Sequence, residues 1–122
     1  MKVTKAIREF IEQQVEIKAN QALEPFAKKR EAAIQGATED IGKLQKEVDS
    51  MFQIIINKYN IERKPYMRLP NLESYLPEVK EYNEKICEFY NKRRSIVIEI
   101  IAEMELGGTK AELIEKINNI SF

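Results

Sequence analysis

Apolar residues recur in steps of three and four over most of the chain. From Ile34 to Tyr59 the positions Ile34, Ala37, Ile41, Leu44, Val48, Met51 and Ile55 follow the spacing of a coiled-coil seam. Val79, Tyr82, Ile86, Phe89, Ile96 and Ile100 repeat the stepping farther along. Between the two stripes, Pro65, Pro70 and Pro77 exclude a regular helix from 61–76. The pattern predicts an all-α fold: an antiparallel coiled-coil helical hairpin with arms over 26–60 and 77–106. A turn near residue 68 pairs positions whose numbers sum to about 137. Ile55 then meets Tyr82, Met51 meets Ile86, Val48 meets Phe89, Leu44 meets Arg93, Ile41 meets Ile96 and Ala37 meets Ile100. Arg93 is the one charge on the seam. Asp40 and Glu47 are its expected partners, and fixing the register is its expected role.

Before the hairpin, Val3, Ile7, Phe10, Ile11, Val15 and Ile17 stripe a helix over 1–24. Pro25 follows, and an interior proline loses a backbone hydrogen bond and crowds the preceding turn. A kink or a break is therefore expected there. Gly36 and Gly42 interrupt the next helix, either to admit a neighbouring helix closely or simply to loosen it. After the loop, Ser74 and Pro77 mark a helix start, with Glu78 and Glu81 near its positive end. β-Branched residues make Ser95 to Ile101 a rival strand, but the flanking helix formers and the continuing spacing favour helix. Gly107-Gly108 stops it. Thr109-Lys110-Ala111-Glu112 is a capping box, opening a short C-terminal helix over 109–120 with Leu113, Ile114, Ile117 and Ile120 on one face. So short a helix must dock to persist.

The chain of 122 residues is sized for a single helical domain over 1–122. Lysine plus arginine and aspartate plus glutamate both number 20, so no global field attracts polyanions. There is no histidine, and Cys87 is the one cysteine, which removes the commonest metal ligands and general bases. Gly107-Gly108-Thr109-Lys110 lacks the strand and first glycine of a phosphate loop. These absences predict a non-enzyme with no catalytic, cofactor or metal site. The charged N-terminus is unlike a signal or a membrane span, so a cytoplasmic protein away from membranes is expected. The composition, rich in Ile, Lys, Glu and Asn, suits a phage or prophage accessory protein.

In the expected register the stripe of 1–24 projects beyond the hairpin. Val3, Ile7, Phe10, Ile11 and Ile17 are therefore the candidates for self-association into a homo-oligomer, a dimer being favoured. Tyr66, Met67, Leu69, Leu72 and Tyr75 are the candidates for docking a protein partner; capping of the hairpin core is the competing role. The expected function is protein interaction or assembly. A rival reading is a nucleic-acid-binding or regulatory helical protein contacting its ligand through Arg63, Lys64 and Arg68, aided by Lys28-Lys29-Arg30 and Lys92-Arg93-Arg94.

Overall fold

The computed structural model describes residues 1–63 and 67–122. Among them all regular structure is helical: α1 (Lys5–Tyr59), a one-turn 3₁₀ helix (Glu73–Tyr75), α2 (Pro77–Glu105) and α3 (Lys110–Asn118). Ser95 to Ile101 lies wholly within α2.

Local chemistry explains the ends. Thr4 caps α1, with the Ile7 N–H donating to its hydroxyl at 3.3 Å. At the other end Asn60 takes the left-handed conformation (φ 49°), and the Ile61 N–H reaches back to the Ile56 carbonyl at 3.0 Å. That is a Schellman-type stop on an asparagine, among the few side chains that tolerate positive φ. Pro77 opens α2, where its missing N–H costs nothing. Ser74 sits within the 3₁₀ turn instead of capping α2, and the Leu76 carbonyl takes the first N–H groups, from Val79 and Lys80. Gly107 (φ 121°) ends α2, and the Glu112 N–H donates to the Thr109 hydroxyl at 3.3 Å to start α3.

Pro25 does not break the helix, which removes one of the two expected outcomes. It lies inside α1, which runs without a break from Lys5 to Tyr59, so the separate helices over 1–24 and 26–60 are one. An interior proline removes one hydrogen bond, a loss that the bonds on either side can absorb in a long helix.

The chain divides into two compact units, Met1–Ala27 with Glu81–Phe122, and Lys28–Lys80. In the first, Ile11 and Val15 of α1 meet Ile100, Ile101 and Met104 of α2 and Leu113 and Ile117 of α3. Ile11, Val15 and Met104 are fully enclosed. Phe26 lies edge-on to Phe89 with ring centroids 6.3 Å apart, and Phe122 folds back to 5.4 Å from Phe89. Arg93 pairs with Glu16 at 3.7 Å, and Lys116 of α3 pairs with Glu103 of α2.

These contacts overturn the expected pairing. Phe89 meets Phe26 instead of Val48, and Arg93 meets Glu16 instead of Asp40 or Glu47. The second unit supplies the reason, because residues 67–73 lie back along α1, where Gln45 holds residues 67 and 69 and Arg30 reaches Glu73 at 3.5 Å. A helix following such a return begins much farther down α1 than one following a tight turn.

Candidate interaction surfaces

The N-terminal stripe is largely consumed inside its own unit. Ile11 presents no surface to a second chain, and Val3 and Ile7 pack half-buried against the core. The C-terminal helix covers part of the stripe, as its turn at Gly107-Gly108 leads one to expect, and α2 supplies the rest of the cover that a second copy was expected to give. Phe10 and Ile17 remain exposed, Phe10 at a notch shared with Met1, Ile7, Leu113 and Ile114.

Burial is uneven between the units. Among the described residues, nine buried apolar side chains lie in the first and two, Ile56 and Val79, in the second. Several of the second unit's large apolar residues are left open. Leu44 keeps 46% of its surface accessible, Met51 65%, Ile54 67% and Ile55 46%, with Tyr59 and Ile61 also exposed. At 3.6 residues per turn, Leu44, Met51 and Ile55 fall within about 40° of one another on the helix surface. The result is a row along α1, with half-buried Val48 between them.

On the flank of that row, the returning segment makes its own contacts. Gln45 donates through Nε2 to the Met67 carbonyl and accepts from the Leu69 N–H, both at 2.8 Å. A side-chain amide thereby pairs with main chain much as another peptide would. Asn71 accepts from the Glu73 N–H at 2.8 Å and shapes the following turn. Leu69 and Leu76 line a cleft of about 310 Å³ together with Ile34, Ala37 and Ile41. The docking candidates accordingly divide. Leu69 is half-buried in this cleft, whereas Met67, Leu72 and Tyr75 are exposed, Tyr75 to 72%. Tyr66 lies outside the described residues.

The basic candidates are dispersed among counter-charges and rings. Arg30 pairs with Glu73 and Arg93 with Glu16, the latter also lying 5.6 Å from the Tyr90 ring centroid. Lys92 lies over Phe122 at 5.7 Å. Lys28, Lys29, Arg94, Arg63 and Arg68 are exposed; Arg68 stands at the cleft of the returning segment, and Lys64 lies outside the described residues. A second groove, between α1 and α2, mixes Arg8, Glu12, Glu16 and Arg94 with Ile98, so neither sign prevails there.

Cys87 is exposed. Among the described residues no group of three or more acidic or cysteine side chains is placed to hold a metal ion, and no helix is long and apolar enough to cross a membrane.

Two features escaped the pattern reading. Gln45 sits one position after a seam leucine and looks like any polar flank; nothing in its spacing signals a clamp. The openness of Leu44, Met51 and Ile55 was hidden differently, since a three-four period demands a partner helix without saying which chain supplies it. No family model matches the sequence, and neither a curated protein nor a solved structure matches the chain.

Proposed function

We propose that this chain is a non-catalytic helical interaction or assembly protein, acting by self-association and partner docking. The observation that carries the reading is the exposed row Leu44, Met51, Ile54 and Ile55 on α1. A contiguous apolar row on an otherwise charged helix is costly to leave in water and is the usual mark of a protein-binding face. Its neighbourhood has little core of its own to substitute. Met67, Leu72 and Tyr75 add exposed apolar surface in the same unit and suit a second, docking role. In this reading α1 and α2 are arms of an antiparallel helical hairpin, supported by contacts that climb α2 while descending α1: Phe89 with Phe26, Arg93 with Glu16, and the Met104 carbonyl with the Met1 amino group at 3.0 Å. Self-association thus passes from the stripe of residues 3–23 to the row of 44–55.

The test is a comparison of two retentions. An interaction protein of zero formal charge passes heparin with little retention and shows a mass that rises with concentration. Strong heparin retention that falls steeply with salt, at constant monomer mass, would instead establish a nucleic-acid-binding protein.

A further inference from the structure

The residues bordering the exposed row on α1 carry a symmetry that narrows the choice of occupant. Counting inward from both ends towards a point between Asp49 and Ser50, Leu44 corresponds to Ile55 and Val48 to Met51. These four apolar positions therefore map onto one another, while Ile54 lies round the helix at the edge of the row. Beyond them Asp40 stands one turn before Leu44 and Lys58 about one turn after Ile55, both exposed. At about 100° per residue these two fall on the same edge of the row, about nine residues either side of that point, so acid comes level with base to within about one residue.

We infer that the row binds the same row of a second copy of this chain, antiparallel, about a twofold axis level with residues 49 and 50. The inference rests on the interaction reading above and commits it to an occupant and a register. In this pairing Leu44 meets Ile55 of the second copy and Val48 meets its Met51, each contact occurring twice, as an isologous interface requires. Asp40 faces Lys58 of the second copy at both ends, closing the apolar layers with an ion pair. In a parallel in-register pairing the twofold axis runs along the helices and sets the edge that carries Asp40 and Lys58 against the opposite edge, where Ile41 and Tyr59 stand, so neither ion pair forms. Charge complementarity thus selects both the direction and the offset. Gln45 and the segment it holds lie on the flank, and the cleft they form stays outside the pairing.

Sedimentation equilibrium on the full chain, for the wild type, D40K, K58D and D40K/K58D, tests this. All substituted positions are exposed, so the folded chain is retained, as circular dichroism should verify. The wild type is expected to dimerise reversibly. Each single reversal turns two attractive contacts into two repulsive ones and should weaken the dimer about tenfold. The double reversal restores opposite charges across the twofold axis and should recover most of that loss. A dimer indifferent to D40K and K58D, or a double variant as weak as the singles, would overturn the register while leaving the interaction reading standing. A wild type that is monomeric at every concentration would remove both.

Discussion

Gly108 and Gly42 have opposite surroundings, and that difference is measurable. A Cβ at Gly108 would lie 2.5 Å from the Met104 methyl and 3.2 Å from the Met104 Cα. The methionine tail is flexible, but Met104 is fully enclosed, and its Cα, at 3.2 Å, belongs to the main chain. Gly108→Ala should therefore lower stability by about 1–3 kcal/mol, read from urea denaturation. At Gly42 a Cβ meets nothing within 4 Å, inside a continuous helix. Gly42→Ala should raise stability by up to about 1 kcal/mol. A Gly108→Ala variant as stable as the wild type would show that the packing described around Met104 is mistaken. The openness at Gly36 and Gly42 also removes the suggestion that a neighbouring helix crosses closely there.

At the scale of the element, α1 is a helix that tolerates Pro25, and the cost should be recoverable. Pro25→Ala supplies the missing N–H and relieves the clash with the preceding turn; the expected gain is about 1–3 kcal/mol, with a small rise in the helical circular dichroism signal. No change in stability would mean that α1 does not continue through this point. The returning segment depends on Gln45 in a different manner. Gln45→Ala removes one donor and one acceptor, at about 0.5–1.5 kcal/mol per bond, and should speed hydrogen exchange at the Leu69 amide by tenfold or more. An unaltered Leu69 exchange rate would show that the clamp does not hold the segment.

The elements were legible for physical reasons that differ from those governing their pairing. Capping at Thr109, the turn at Gly107 and the proline at Pro77 act within a few residues, so local pattern and local structure coincide. The all-helical character followed from spacing. Pairing depends on what 61–76 does, and the bonds that decide it link Gln45 to Met67 and Leu69 across more than twenty residues. The stripes matched well in the expected register, yet apolar layers also form between Ile11, Val15, Ile100 and Met104. Arg93 illustrates the ambiguity: its need for a carboxylate was readable, whereas Glu16 was one of many acids that could meet it.

Among the described residues, most of the buried apolar side chains lie in one unit, and the other buries few of its own. The first unit uses the N-terminal stripe, α2 and α3 to enclose a core. The second holds a long helix against a strap of main chain and leaves Leu44, Met51, Ile54 and Ile55 to water. The candidate surface was therefore half-readable: its residues were visible as a seam, and its accessibility was not. The central claim, that this row is where the chain associates, is tested most directly by light scattering during size exclusion over a hundredfold range of concentration, for the wild type and for L44E/I55E. The account predicts a wild-type mass rising from monomer towards dimer and a double variant that stays monomeric with unchanged helical content. A wild type that remains monomeric throughout, or a double variant that dimerises as well as the wild type, would contradict it.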